Sequence, residues 1–257
     1  MGGYILIAVV AVALVAAFAV QSMKSKEAAQ FDKTTFCPKD GAHSVTAIMI
    51  DQTDPLSAIQ QASLRNELQK IRDEIPTHGR LEIYAVGNTV SKALAPIFSM
   101  CNPGRGKDIN PLFGNPQRVE RQWKEAFDKP LDDILSTLLN APEAKESPIL
   151  ESIQSITVTA FNNPMSERAE RRLIVASDMI HYTPQLSLYH LPGDFASLRN
   201  TDYLQKMHSD LRDVKVEVLM FRRANAAKVQ NKDFIQFWDD FFKDQGASLE
   251  RVYSISG

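Results

Sequence analysis

The chain opens on an unbroken apolar run. Ile5 to Val20 reads ILIAVVAVALVAAFAV, with no charged or polar side chain. With Gly2, Gly3 and Tyr4 in front, it is long enough to span a bilayer, for which roughly 17–25 residues suffice. Lipid offers the backbone no hydrogen-bond partners, so such a run must bond to itself as a helix. The pattern predicts one transmembrane helix, with residues 1–22 as a signal-anchor. A cleaved signal peptide is the alternative, since Ala17-Phe18-Ala19 has the small-x-small form of a cleavage site. Against it, no Lys or Arg precedes the run. Lys24, Lys26, Lys33 and Lys39 all follow the span, and the positive-inside rule then places the soluble domain in the cytoplasm. The periplasmic or extracellular side stays open. Lys24 and Lys26 would sit at headgroup level against anionic lipid. Residues 23–41 read as a polar tether.

From residue 42 to 257 two periodicities alternate. Val45 to Ile50 is a short apolar run with β-branched members, the pattern of a strand buried on both faces. Asp54-Pro55 reads as an N-cap with Pro at the first helical position. Leu64, Leu68, Ile71 and Ile75 then recur at helical spacing, and Pro76 and Gly79 end that helix. Leu81–Val86 predicts the second strand. Ala93–Met100 predicts a third, which Pro96 demotes to an edge strand or an irregular piece. Cys101–Pro116, CNPGRGKDINPLFGNP, is rich in turn residues and predicts a long loop, a kind of segment that often carries function.

Val119–Leu139 predicts a helix with Trp123, Phe127, Leu131, either Ile134 or Leu135, and Leu138 on one face and a bend at Pro130. Ser147-Pro148 opens another, running to about Phe161. Strands follow at Arg172–Ser177, Val214–Phe221 and Leu249–Ile255. Between them lie partly helical Phe195–Asp210 and a helix carrying Phe234, Phe237, Trp238 and Phe241 that Gly246 stops. Phe242 lies off that stripe and suggests an interface. Strands separated by helices predict a doubly wound, mostly parallel α/β sheet flanked by helices. Ligands of such sheets bind beyond the carboxyl ends of the strands.

Composition narrows the function classes. The 257 residues carry a net charge of -2, so no nucleic-acid partner is expected. The 2 cysteines, Cys37 and Cys101, exclude a four-cysteine zinc site and leave either one disulfide or two inert thiols. The five histidines form no HExxH pattern; exposed or hydrogen-bonded imidazoles are expected, and His181 alone lies near a strand-end acid. Gly104-Arg105-Gly106-Lys107 is followed by Asp108 and so fails the phosphate-loop pattern; it reads as a basic loop tip able to contact a partner. Arg168, Arg171 and Arg172, and Arg222 with Arg223, read as solvated strand edges.

Two acids stand at strand ends. Asp51 follows the first strand and Asp178 the RRLIVAS strand. Thr53 lies two residues after Asp51, and Ser147 stands at the mouth of a helix. Two carboxylates with two hydroxyls are oxygen donors, a set suited to Mg2+, Ca2+ or Mn2+. The bland alternatives are that Asp54 and Ser147 cap helices and that Asp51 bonds a neighbouring loop.

This arrangement resembles the von Willebrand factor A family. That family's metal-ion-dependent adhesion site has Asp-x-Ser-x-Ser after its first strand, completed by a loop Thr and an Asp after the fourth strand. Here the motif stands as Asp51-Gln52-Thr53-Asp54-Pro55, with Pro55 where the second Ser belongs. Ser147 takes the place of the loop Thr and Asp178 that of the late Asp. The resemblance covers about residues 43–255 and implies a membrane-tethered interaction or scaffold module. Its metal, at Asp51, Thr53, Ser147 and Asp178, would complete its coordination with a carboxylate of a protein partner. Two alternatives stand beside it: a metal-dependent hydrolase or phosphatase, which lacks a clear general acid, and a structural subunit of a membrane complex with a non-functional metal site.

Overall fold

The computed structural model describes residues 30–87, 93–138, 144–190 and 194–257. The expected anchor, and the tether as far as residue 29, lie outside the described residues. Among the described residues no helix is long and apolar enough to cross a membrane.

The strands are β1 (Ser44–Asp51), β2 (Arg80–Val86), β3 (Phe98–Cys101), β4 (Glu170–Ser177), β5 (Val214–Phe221) and β6 (Ser248–Ile255). They form a 6-stranded sheet in the order β3-β2-β1-β4-β5-β6. All neighbours run parallel except β2 and β3. The mostly parallel doubly wound sheet expected from the pattern is therefore present. Pro96 lies just before the short β3, which is an edge strand.

Both faces of the sheet are covered. Along β1, Val45, Ala47 and Met49 point into one core, and Ile48 and Ile50 into the other. The first core is closed by helices α4 (Ile149–Ile156) and α7 (Lys232–Asp244). The second is closed by α1 (Ala58–Glu74) and by the run α2 (Pro116–Trp123), a π-turn (Lys124–Asp128) and α3 (Lys129–Leu138). The π-turn ends two residues before Pro130, whose missing N–H removes a rung from the helical ladder. Two short helices, α5 (Phe195–Leu198) and α6 (Asp202–Lys206), precede β5. Phe242 is buried against Trp238 and Phe241, so the suggestion of an interface there gives way to core packing. Gly246, at φ +87, turns the chain after α7 in the left-handed region that favours glycine.

Helix α1 starts later than Asp54-Pro55 suggests. Its cap is Ser57, whose hydroxyl accepts from the Gln60 N–H at 3.2 Å while the Gln60 side chain accepts from the Ser57 N–H at 3.2 Å. The local Asp-Pro signal fails because the carbonyls of Asp54 and Pro55 accept from Arg223, which holds that stretch outside the helix. Losing the reciprocal cap in Ser57→Ala is expected to cost about 1 kcal/mol, read as a lower urea midpoint.

The segment from residue 30 is fastened to the domain. Phe31 stacks on His78 at 4.3 Å between ring centroids. The Cys101 N–H donates to the Thr35 carbonyl at 2.8 Å. Cys37 and Cys101 form a disulfide, which decides between the two readings of the cysteines.

Candidate functional site at the carboxyl ends of β1 and β4

β1 is the strand from which the chain turns both ways, to β2 on one side and β4 on the other. That switch opens a crevice at the carboxyl ends. Ile50 pairs with Ala176, so Asp51 stands level with Ser177 and Asp178 lies one residue beyond, at the end of the adjacent strand. Both are buried, at 5% and 2% exposure.

The Asp51 carboxylate is saturated by its own neighbours. Oδ1 accepts from the Thr53 N–H at 2.9 Å and the Thr53 hydroxyl at 2.7 Å. Oδ2 accepts from the Ser177 hydroxyl at 2.6 Å and the Ser147 hydroxyl at 3.4 Å. A carboxylate has about four lone-pair sites, and these four contacts fill them. Ser147 is delivered by a two-way backbone bridge with Tyr182, at 2.8 and 3.0 Å, that ties the loop before α4 to the loop after β4. It does not cap α4, whose N-cap is Pro148 and has no side-chain cap bond. Asp54 likewise caps nothing, since Ser57 takes that role.

Asp178 is bound differently. Its Oδ1 accepts from the Ile180 N–H at 2.8 Å and its Oδ2 from Arg223 Nε at 3.1 Å. The same guanidinium donates from Nη1 to the Pro55 carbonyl at 2.9 Å and from Nη2 to the Asp54 carbonyl at 3.3 Å. One cation thereby clasps the β4 end to the β1–α1 loop. Gln230 backs the clasp, accepting from the Arg223 N–H at 2.9 Å and donating to the Asp178 carbonyl at 3.0 Å. Between Asp178 and Ile180, Met179 is held at φ +65, an uncommon conformation for a side-chain-bearing residue. Its N–H donates to the Ser177 hydroxyl at 2.8 Å. Burial pushes the Asp178 carboxyl up, and the neighbouring Asp51 charge pushes it further. The Ile180 N–H and Arg223 pull it only part of the way back.

All four residues expected from the sequence thus stand at one place: Thr53 and Ser147 are both bonded to Asp51, and Asp178 is close enough to feel the Asp51 charge. Ser177, Arg223 and Gln230 belong to the same cluster and were not expected there. Ser177 left one trace, a hydroxyl closing an otherwise apolar strand. Arg223 left none, since a basic pair after a strand reads as a solvated edge. The structure corrects that reading: the Arg223 side chain is only 14% exposed. Arg172 is likewise engaged, with Glu74 at 2.8 Å and Glu217 at 2.5 Å.

For a divalent ion, the donor set is one hydroxyl short of the family's. Pro55 stands at the second Ser position, and its carbonyl accepts from Arg223. Asp51 has no idle oxygen, and a guanidinium already offsets the charge of Asp178. The residues present do not fit the ion site as that family builds it. Among the described residues, no group of three or more His, Cys, Asp and Glu side chains is placed to hold a metal.

His181 is fully buried beneath the cluster, and burial pushes its pKa down to about 3. Nδ1 accepts from the Leu150 N–H at 3.4 Å, which fixes the neutral form, so the Glu151 carboxylate 3.8 Å away is not an ion-pair partner. Nε2 then carries the proton and faces the Tyr203 hydroxyl at 3.0 Å, which donates to Glu151 at 2.5 Å. The unfolded chain binds the His181 proton near pH 6.5 and the folded chain only near 3. Stability from this group is therefore complete above 6.5 and falls as the pH drops toward 3, with a slope approaching about 1.4 kcal/mol per unit. His181→Gln should flatten that part of a pH series of urea unfolding curves. An unchanged slope would assign the acid sensitivity to other groups.

No protein-family model matches the chain. No curated protein matches it either. Among solved structures, the chain is similar to the SpRpn10 VWA domain, with 12% identity over 84% of this chain and 89% of that one, at a TM-score of 0.39. It is similar to an aerotolerance-related membrane protein from Bacteroides fragilis, with 10% identity over 82% and 91% of the two chains and a TM-score of 0.41. It is also similar to the conserved hypothetical protein BatB from Bacteroides thetaiotaomicron, with 11% identity over 84% and 91% and a TM-score of 0.40.

Proposed function

We propose that the chain is a membrane-tethered protein-docking module that receives a carboxylate of its partner at Arg223, without a divalent ion. The observation that carries the reading is the Arg223 clasp at the switch point of the sheet. A guanidinium has five N–H donors, and three contacts to Asp178, Pro55 and Asp54 leave donors for a partner. Beside it, Tyr182 and Tyr189 are 45% and 40% exposed and meet edge to face at 5.7 Å. Burial and the charges of Asp178 and Asp54 push the Tyr189 hydroxyl up, which sets it on the rim of the cluster. Tyrosine and arginine are the residue types that anchor protein interfaces. A hydrolytic role is disfavoured, since a nucleophilic carboxylate needs a free oxygen and Asp51 has none.

The apolar run Ile5–Val20 supports the tether. The Cys37–Cys101 disulfide favours an oxidising compartment for the domain, against the cytoplasmic side favoured by the lysine flank.

A photoreactive phenylalanine at position 189 of the full chain, illuminated in native membranes, tests the docking face. The expected adduct forms equally in magnesium and in chelator, weakens in Arg223→Lys, which keeps the charge but has only three donors, and is lost in Arg223→Gln. An adduct that needs magnesium and disappears in Asp51→Ala would replace this reading with a divalent ion held by Asp51, Thr53, Ser147 and Asp178. No adduct in either condition would remove the docking face.

A further inference from the structure

We propose that the loop tip formed by Leu112 and Phe113, with its collar of basic side chains, is a lipid-facing surface that seats the domain on an anionic bilayer. The inference builds on the membrane tether proposed above and adds a second contact to it.

The tip is the most exposed apolar feature among the described residues, with Leu112 at 85% and Phe113 at 83%. It is a built turn. The N–H groups of Phe113 and Gly114 both donate to the Asn110 carbonyl, at 3.1 and 3.0 Å, and the Leu112 N–H donates to the Asn110 side chain at 2.9 Å. Its base is packed onto α2: the Gly106 N–H donates to Glu120 at 2.9 Å, and Arg105 lies 3.6 Å over the Trp123 ring. A Cβ at position 106 would stand 2.3 Å from the Pro116 carbonyl, so this close approach requires glycine. Two large apolar side chains held out by a supported turn need a cover, and burial removes their area from water.

Charge and topology name the cover. Lys107, Arg118, Arg121 and Lys124 are all exposed in the loop and along the helical run that follows it, and Lys107, Arg121 and Lys124 line one groove at the base of the loop. The nearby Glu120 is already engaged by Arg105 at 3.1 Å. Exposed Asp108 and Glu125 lie in the same stretch and leave the four cations in excess. Apolar side chains flanked along the chain by cations match an anionic interface, where the apolar part enters the acyl boundary and the cations meet phosphates.

The loop also leaves the correct end of the sheet. β3 is antiparallel, so Cys101 pairs with Arg80 at the amino end of β2, opposite Asp51 and Asp178. The Cys37–Cys101 disulfide fastens the incoming chain at that same end. From Val20 to Gln30 the chain can reach about 35 Å at most. The tether and the tip thus share one end, and the docking rim lies at the other.

The full chain in lipid nanodiscs tests this. A nitrobenzoxadiazole dye is placed at Phe113→Cys or, as the control at the docking end, at Ala58→Cys; the native cysteines are paired and do not take the label. The discs contain phosphatidylcholine with or without phosphatidylglycerol, and brominated lipid serves as the quencher. The expected result is blue-shifted, lipid-quenched emission at position 113 in anionic discs and none at 58. It should weaken several-fold in a variant with Lys107, Arg121 and Lys124 replaced by Glu. Carbonate extraction separates the two readings. A carbonate-resistant chain with no quenching at 113 overturns the lipid surface and leaves the tether. An extractable chain whose position 113 is still quenched supports the surface and removes the tether. A dye shielded from aqueous iodide but untouched by brominated lipid overturns the proposal, since a protein then covers the tip.

Discussion

Arg223→Met should lower the unfolding free energy by about 3–5 kcal/mol, the cost of leaving a buried ion pair without one partner. The Asp178 side chain is 3% exposed and its other charged neighbour is Asp51, of the same sign. Without the guanidinium, two buried carboxylates face each other and the carbonyls of Asp54 and Pro55 lose their donor. Asp178 would then keep a proton to higher pH, so the variant should lose most stability above neutrality and least in acid. Arg223→Met combined with Asp178→Asn should recover part of the loss, because the second change removes the unpaired charge. Urea unfolding of the single and double variants measures both effects. Equal midpoints for the wild type and Arg223→Met would show that the guanidinium is not the counter-charge of this cluster.

Replacing Cys37 and Cys101 together by Ser should cost about 4 kcal/mol, because the bridge closes a sequence separation of 64 residues. For a domain of this size that corresponds to a fall in Tm of roughly 10 °C. A reducing agent should produce the same shift in the wild type and none in the variant. Local protection should be lost first around Thr35 and Cys101, whose backbones are bonded to each other. A wild type indifferent to reductant would show that the pair is not closed in the protein as made.

The sheet was legible because its signals are local. Val45–Ile50 and Leu173–Ala176 are apolar runs broken only by Thr46, and an acid within two residues of the end of such a run can be placed at a strand end before any contact is known. That located Asp51 and Asp178. The clasp was not legible, because its partners are remote along the chain: Arg223 reaches back 45 residues to Asp178 and 168 to Pro55. Nothing in the pair Arg222-Arg223 distinguishes a buried cation from a solvated edge. The same remote contact displaced the start of α1 from Asp54-Pro55 to Ser57, so one invisible interaction accounts for two misreadings. Ser147 was placed correctly at the mouth of its helix. Its bond to Asp51 depends on the bridge to Tyr182, which no spacing rule reveals.

The placement of β1 between β2 and β4 also fixes an order of assembly. The strand completes its first edge with β2 soon after synthesis, but the bond that closes its second edge at Asp51 waits for Ser177, 126 residues later. At about 5–20 residues per second the ribosome needs roughly 6–25 s to supply that stretch. For the part of that interval after β2 is made, the nascent chain carries a half-built sheet whose central strand has one open edge, the condition under which chaperone protection matters most for it.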